Sequence, residues 1–320
     1  MGYLTVNALF LVYLERKVSA WIQRRMGPTE VGPWGLLQTA ADMLKLISKQ
    51  LLTPKGVDKP LYHLAPLVAF APVVAAVGLF PFSRDIAIMN IDLGLILVFA
   101  FAGMGIMGIF MAGWGSHNKY ALLGAMRSVA QNISYEVPLI LSTLSIVLMA
   151  SAMDHGIQVD GEALEVNGLN LAHVALLQHD VGYWFVLTQP IAAIIYLIAA
   201  TAETNRAPFD IPEAESELIA GFHTEYSGMR FAIFFFAEYS NMFIVSMVAT
   251  VLFLGGWSGP LLPGPVWFLL KVYGVIFTMM WFRWTFPRLR FDQLMTFCWA
   301  VLVPLSILNL LVTAFLVKVL

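Results

Sequence analysis

Charge is scarce in this sequence. Asp, Glu, Lys and Arg make up 12% of its 320 residues, whereas a soluble domain carries roughly 25%. Apolar residues supply 59%, and the mean hydropathy is +0.78. A single soluble core could not bury this apolar surplus, so the composition excludes a soluble globular domain and predicts an integral membrane protein.

Cysteine is nearly absent, and basic residues hold no excess. A single cysteine, Cys298, allows no internal disulfide, no thiolate-ligated zinc site and no iron–sulfur cluster. The six histidines show no spacing typical of a helical metal site. Since the net charge is −2, there is no basic surface for nucleic acid. We therefore expect no metal centre in this chain and no nucleic-acid partner.

Long apolar runs are abundant, and a membrane-spanning helix needs ~20 such residues. The predicted fold class is all-α, a polytopic transmembrane helix bundle that forms one integral membrane domain over 1–320. The predicted spans lie near 1–21, 61–82, 93–114, 135–152, 183–202, 231–254, 265–282 and 293–317. No internal repeat of the kind found in many transporters is visible.

The basic residues predict the orientation of these spans. Fifteen of the 18 Lys and Arg fall in the first, third, fifth and seventh connections, which are 15–60, 115–134, 203–230 and 283–292. Cytoplasmic loops collect Lys and Arg, so these odd-numbered connections are predicted to be cytoplasmic. The fourth connection, 153–182, has five acids and neither Lys nor Arg, as expected on the opposite side.

Two further patterns concern helix surfaces. Residues 35–52 place Leu and Met near one face and Gln, Asp and Lys around the other, which predicts an amphipathic helix in the cytoplasmic interface. Gly103, Gly105 and Gly108 match the dinucleotide fingerprint, but that motif needs a strand-to-helix turn. Within an apolar span, we interpret them as sites of close helix packing.

Ionisable residues inside spans are the sharper signal, because a charge in the bilayer costs several kcal/mol and is usually kept for function. Glu136, Glu238 and Lys271 occupy such positions. A proton-handling role is the favoured hypothesis for the two carboxylates. Lys271 either shares that role or pairs with a carboxylate to fix the bundle.

The fifth connection is the most polar stretch of the chain. One arginine, Arg206, stands among six acids, which are Glu203, Asp210, Glu213, Glu215, Glu217 and Glu225. The run from Asp210 to Glu213 is also typical of a helix start, with an N-cap acid and an early proline. Crowded carboxylates repel one another and titrate as a coupled set, so this cluster is a candidate for proton uptake and release.

Taken together, these residues make the chain similar to one membrane subunit, designated H or 1, of proton-translocating NADH:quinone oxidoreductase, respiratory complex I. The runs that carry the resemblance are Glu15-Arg16-Lys17, Gln23-x-Arg25-x-Gly27-Pro28, Gly32-Pro33-x-Gly35-Leu-Leu-Gln38, Ala41-Asp42-x-x-Lys45-Leu46, Tyr120-Ala-Leu-Leu-Gly-Ala-Met-Arg127, Gln131-x-Ile-Ser-Tyr-Glu136, Ala202-Glu-Thr-Asn-Arg-x-Pro-Phe-Asp210, Glu213-x-Glu-Ser-Glu217, Glu225-Tyr226, Ala237-Glu-Tyr239 and Pro287-Arg-x-Arg-x-Asp-Gln-Leu-Met295. They cover residues 15 to 295.

The resemblance implies a subunit that forms much of the quinone tunnel and couples quinone reduction to proton translocation. The tunnel residues that it implies are Arg16, Arg25, Asp42, Phe235 and Arg283. The acidic path that it implies comprises Glu136, Glu203, Asp210, Glu213, Glu215, Glu217 and Glu238, to which the polar connection adds Glu225.

The resemblance also implies partners. Quinone is the substrate, and no cofactor is bound by this chain alone, because FMN and the iron–sulfur clusters belong to partner subunits. The expected partners are the iron–sulfur and quinone-site subunits of the peripheral arm, small membrane subunits, antiporter-like subunits and membrane lipid. The expected location is the bacterial inner membrane, and the chain is not catalytic alone.

Two other functions stay open at this point. A related energy-converting hydrogenase uses a similar membrane anchor subunit without a quinone. A stand-alone secondary transporter would use Glu136, Glu238 and Lys271 as its coupling site.

Overall fold

Long apolar helices dominate the computed structural model, which describes residues 2–84, 86–153, 157–159, 162–164, 166–211 and 220–319. In chain order the helices are α1 (Gly2–Ile22), α2 (Gln38–Ser48), α3 (Lys59–Val77), α4 (Gly94–Gly115), α5 (Lys119–Ala152), α6 (Leu171–Val181), α7 (Phe185–Thr188), α8 (Pro190–Glu203), α9 (Met229–Phe253), α10 (Gly264–Thr285), α11 (Phe291–Phe297) and α12 (Val303–Val319). A π-helical turn, Cys298–Leu302, joins α11 to α12. Two short antiparallel strands, β1 (Ile157–Val159) and β2 (Glu162–Leu164), pair within the fourth connection.

The predicted fold class is confirmed. Within the described part of the chain, six helices are long and apolar enough to cross a membrane: α3, α4, α5, α9, α10 and the continuous rod of α11 and α12. Helix α8 is apolar but shorter, and α1 has 21 residues. The molecule is therefore a polytopic helical bundle, with α5 and α9 buried at its centre.

Two helices differ from the expected spans. The apolar run 183–202 is interrupted, because α7 ends at Thr188 and Pro190, which has no N–H to donate, opens α8. Gln189 at this break is buried, and its side-chain amide bonds Thr313 and Asn309 of α12, so the polar side chain at the break has partners within the bundle. Helix α5 begins at Lys119 rather than near 135, so most of the predicted third connection is helical.

The predicted amphipathic helix forms as α2. Its apolar side chains Met43 and Leu46 face inward over a cavity, while Leu44 and Ile47 are exposed. A helix with apolar side chains on its outer surface suits the membrane interface.

The glycine run in α4 makes its tightest contact with α3 at Gly108. A Cβ built on Gly108 would lie 2.5 Å from the backbone nitrogen of Ala69, whereas Gly103 has nothing within 4 Å. The contact at Gly108 agrees with the packing interpretation and not with a nucleotide-binding turn.

We expect Gly108→Ala to destabilise the chain, because the added methyl meets backbone that cannot rotate away. Overpacking of this kind costs about 1–3 kcal/mol. The thermal unfolding midpoint of the purified protein should fall measurably in this variant. Gly103→Ala, in the same helix with open space around it, is the matched control and should unfold at or slightly above the wild-type temperature, because alanine is favoured over glycine inside a helix. Equal midpoints for the two variants would contradict the assignment.

Candidate functional site

An apolar cavity of about 470 Å³ lies between α1, α2 and the first half of α9. We call it the main cavity. Its α9 wall is formed by the first three turns of that helix. These wall residues are Met229, Phe231, Ala232, Ile233, Phe235, Phe236 and Tyr239. The opposite walls include Ala8 and Val12 of α1 and Met43 and Leu46 of α2, so the cavity is largely apolar and aromatic.

One polar pair closes an end of the main cavity. Arg16 Nη1 of α1 lies 2.6 Å from Asp42 Oδ2 of α2, and Gln38 donates to the other Asp42 oxygen at 3.2 Å. The same pair also lines a second, more open cavity of about 560 Å³ that includes Arg25. The structure thus brings together three of the predicted tunnel residues, Arg16, Asp42 and Phe235, and places Arg25 just beyond them.

A buried ionic chain lies directly behind the main cavity. Arg206 Nη1 is 3.5 Å from Glu15 Oε1, and Arg206 Nε is 3.7 Å from Glu238 Oε1. Arg283 of α10 donates to the same Glu15 oxygen. Glu15 and Arg206 are each less than one-tenth exposed. Because isolated charges are costly in the bilayer, such groups persist when they pair.

Tyr239 joins the main cavity to this ionic chain. Its ring lies in the cavity wall, and the Arg206 guanidinium sits 4.3 Å from the ring centroid, within cation–π range. The Phe235 ring is 5.0 Å away on the cavity side. The sequence reasoning named Phe235 and Glu238 but missed Tyr239, Arg206 and Glu15 as site residues, although all three stand in the runs that carry the family resemblance.

Glu238 also lines a small cavity on the far side of the ionic chain. This inner cavity, of about 70 Å³, is lined on its polar side by Glu203, Glu238, Asn132, Thr204, Asn205 and Asn241, and on its other side by apolar residues of α3 and α4. Glu203 is buried. Glu136, half-buried on α5, interacts electrostatically with Glu203. Glu238, Glu203 and Glu136 therefore form a stepwise series of carboxylates that leads away from the main cavity.

The remaining predicted acids lie elsewhere. The segment that contains Asp210 is held by Gln131 of α5, whose amide donates at 2.8 Å to the carbonyls of Ala202 and Phe209, and the Asp210 carbonyl accepts from Arg288. Glu213, Glu215 and Glu217 fall outside the described residues.

Glu225 belongs to a separate cluster. Its carboxylate accepts from Asn118 at 2.6 Å, and its carbonyl accepts from Tyr62. Tyr62 stacks on Tyr226 with ring centroids 4.2 Å apart. Burial lowers the pKa of the neighbouring His223 to about 4 and raises the pKa of Tyr226. His223 and Tyr226 are therefore both uncharged near neutral pH, which suits a packing role for this cluster.

Lys271 binds backbone carbonyls rather than the carboxylate that one sequence hypothesis gave it. Its ammonium donates to the carbonyls of Leu254, Gly256 and Ser258 at 2.6, 3.0 and 2.6 Å, and it lies 4.7 Å from the Trp184 ring centroid. The Leu254 carbonyl is at the C-cap of α9, where helical carbonyls lack partners of their own, and the Gly256 and Ser258 carbonyls lie in the segment that follows. Lys271 therefore caps α9, with no acidic partner among the described residues.

Within the described part of the chain, no group of three or more His, Cys, Asp or Glu side chains could hold a metal ion. The buried thiol of Cys298 donates to the carbonyl of Ser134 at 3.1 Å. The chemistry available at this site is thus that of arginines, carboxylates and aromatic rings around two cavities.

Comparison with known proteins gives consistent results. The sequence model of the NADH dehydrogenase family matches residues 1–314. A relative from Desulfotalea psychrophila is 44% identical over 332 aligned positions, which cover 100% of this chain and 95% of that protein. Relatives from Geobacillus kaustophilus (48%, covering 97% and 90%) and Dehalococcoides mccartyi (45%, covering 98% and 84%) are similar in extent. All three are named as the same subunit of NADH-quinone oxidoreductase, the one designated H.

Proposed function

The chain belongs to the NADH dehydrogenase family, as a membrane subunit of NADH-quinone oxidoreductase, and from this premise we propose that it forms much of the quinone-binding tunnel and couples quinone reduction to proton translocation. The single observation that carries the proposal is that Tyr239 and Glu238, neighbours on α9, connect the main cavity to the inner cavity through Arg206. Tyr239 contacts both the main cavity and Arg206, while Glu238 contacts both Arg206 and the inner cavity.

The main cavity supports the quinone assignment by its size and lining. Its volume of about 470 Å³ lies in the range of small-molecule sites, which are mostly apolar with a few polar groups that fix orientation. The aromatic side chains of α9 suit a flat ring and an apolar tail. Arg16 at the polar end can donate a hydrogen bond to a quinone oxygen, and Asp42 holds Arg16 in place.

Coupling follows from electrostatics in a medium of low dielectric. Quinone reduction takes two electrons, which partner subunits must supply, and two protons. Negative charge that develops on the quinone attracts Arg206 across the Tyr239 ring and weakens its hold on Glu238. Glu238 then gains affinity for a proton, because a buried carboxylate that loses its cation is strongly disfavoured as an anion. Glu203 and Glu136 transmit this change in charge farther into the bundle.

Location and partners are part of the same proposal. The chain is an integral membrane protein, and we place it in the bacterial inner membrane with the odd-numbered connections cytoplasmic, as the distribution of Lys and Arg indicates. The polar Arg16 and Arg25 surface at the tunnel mouth would face the quinone-site subunits, and the Glu136 end of the carboxylate series would lead toward the small membrane and antiporter-like subunits. Lys271 does not support the transporter alternative, since it binds carbonyls rather than a carboxylate.

Neutralising the carboxylates tests the coupling. We expect Glu136→Gln and Glu238→Gln to lower quinone reductase activity and proton pumping together, by roughly tenfold or more, somewhat below the usual contribution of a positioned proton-transfer group. Both are measured on the assembled complex in sealed vesicles. Asp180→Asn, at an exposed acid outside the carboxylate series, is the matched control and should behave as wild type. Full pumping by both variants in an assembled complex would refute the coupling role.

A further inference from the structure

Arg206 lies in a loop that begins where α8 ends at Glu203. Asn205 has a positive φ of 50°, a left-handed conformation that asparagine adopts more readily than most residues. The chain therefore turns sharply just before Arg206. The Arg206 carbonyl accepts from the backbone N–H of Phe209 at 2.9 Å, which closes a second turn just after it. The position of this loop determines where the guanidinium of Arg206 lies.

Gln131 of α5 joins the two ends of this loop. Its side-chain amide donates to the carbonyl of Ala202 and to the carbonyl of Phe209, both at 2.8 Å. These two residues come four positions before and three positions after Arg206. Gln131 is fully buried, and both carbonyls can only accept, so its amide nitrogen must face them. One side chain thus holds both ends of the loop that carries Arg206.

We propose that Gln131 is a positioning residue for quinone reduction, which holds the guanidinium of Arg206 between the main cavity and Glu238. Arg206 lies 3.5 Å from Glu15, 3.7 Å from Glu238 and 4.3 Å from the centroid of the Tyr239 ring. A guanidinium is planar and its donors have fixed directions. Contacts in three directions therefore tolerate little displacement of the loop.

Other contacts act on the residues that follow Arg206. The backbone N–H of Leu289 donates to the carbonyl of Pro208 at 3.1 Å, and Arg288 donates to the carbonyl of Asp210. These contacts remain when the glutamine amide is lost. Removal of the amide should therefore shift Arg206 without unfolding the whole connection.

Gln131→Met tests this role, because methionine fills similar space but has no N–H to donate. In the assembled complex in membranes, we expect kcat for quinone reduction to fall at least roughly tenfold, since a misplacement of about 1 Å can cost ~100-fold. The KM for quinone should not change, because Gln131 is not among the described residues that line the main cavity. Hydrogen exchange of the peptide 202–209, measured by mass spectrometry without substrate, should become faster.

Gln178→Met is the matched control. Gln178 of α6 is also buried, and its amide donates to the carbonyls of Val251 and Leu252 at 2.9 and 3.3 Å. At 1.5 Å per residue, these carbonyls lie roughly 20 Å beyond Glu238 along α9. We expect Gln178→Met to lower the thermal unfolding midpoint as Gln131→Met does, but to keep wild-type kcat and wild-type exchange at 202–209. A purely structural role predicts the same loss of kcat in both variants.

Combination with Arg206→Lys shows whether Gln131 acts through Arg206. Residues that act through one group are not additive, so Gln131→Met should lower kcat by a smaller factor in Arg206→Lys than in wild type. The assignment is overturned by an equal factor in both backgrounds, by unchanged exchange at 202–209, by wild-type kcat in Gln131→Met, or by an equal loss in Gln178→Met.

This role rests on the proposed function, because it needs Arg206 to take part in quinone reduction. The two can fail separately. Wild-type kcat in both Arg206→Lys and Arg206→Met would refute the function proposed for the ionic chain, and the role of Gln131 with it. If the Arg206 variants lose activity while Gln131→Met keeps wild-type kcat, only the positioning role is refuted.

Discussion

Replacement of Arg206 with methionine is expected to remove quinone reductase activity and to destabilise the subunit by about 3–5 kcal/mol, the usual cost when one partner of a buried ion pair is removed. Arg206 is 6% exposed and contacts Glu15, Glu238 and the Tyr239 ring. Methionine fills similar space but leaves Glu238 without the cation that offsets its charge. The thermal midpoint and the NADH:quinone activity of the purified complex measure the two effects.

A double variant separates stability from function. Glu238→Gln added to Arg206→Met removes the uncompensated charge, so stability should recover while activity stays low, because the link from cavity to carboxylate is still broken. Arg206→Lys keeps the charge but lacks the planar group that stacks and bonds in two directions, and should be intermediate. Wild-type activity in Arg206→Met would show that the ionic chain has no part in quinone reduction.

The ionic chain also shows where sequence reasoning stops. The position of Glu238 in an apolar run was enough to make it a candidate, because charge in a span is costly. Its partners were not accessible in the same way: Glu15 and Arg283 lie 268 positions apart, and no local periodicity links them. Arg206 was visible as a lone cation among acids. Only the packing of α1, α9 and α10 around it shows which acids it pairs with.

Tyr239 and Lys271 were missed or left open for different reasons. Tyr239 looks like any core aromatic in sequence, and its role depends on the 4.3 Å contact with Arg206. For Lys271, both hypotheses assumed an acidic partner or a proton. The structure supplies backbone carbonyls beyond the end of α9 instead, a partner that hydropathy and charge counts do not record.

The span pattern was predictable because hydropathy and length decide it, and the long helices formed near the expected runs. The break at Gln189 was not predicted. Proline is tolerated within an apolar run when neighbouring helices satisfy the freed backbone groups, so Pro190 alone could not distinguish a kink from a break. Gln189, at the break, bonds α12. These contacts join residues far apart in sequence, so local sequence patterns do not reveal them.

Filling the main cavity is the second change for which we expect a large effect. Ala232 lies in the α9 wall between Phe231 and Ile233, and Ala232→Trp places an indole in the space assigned to quinone. We expect quinone reduction to fall by roughly 100-fold, as when a reactant is displaced by about 1 Å from its productive position. Electron transfer from NADH to a soluble acceptor that bypasses this subunit should be unchanged.

The matched control is Val6→Trp in α1. Val6 is 68% exposed, so the same indole meets no cavity there.

The effect of Ala232→Trp also shows where the quinone ring lies, because Arg16 and Asp42 stand at one end of the main cavity. If the ring must pass position 232 to reach that polar end, short-tailed and long-tailed quinones lose activity alike. If only the tail occupies this part of the cavity, short-tailed quinones retain theirs. Wild-type kcat and KM with every quinone would mean that the main cavity is not the quinone path, and the proposed tunnel would have to be abandoned.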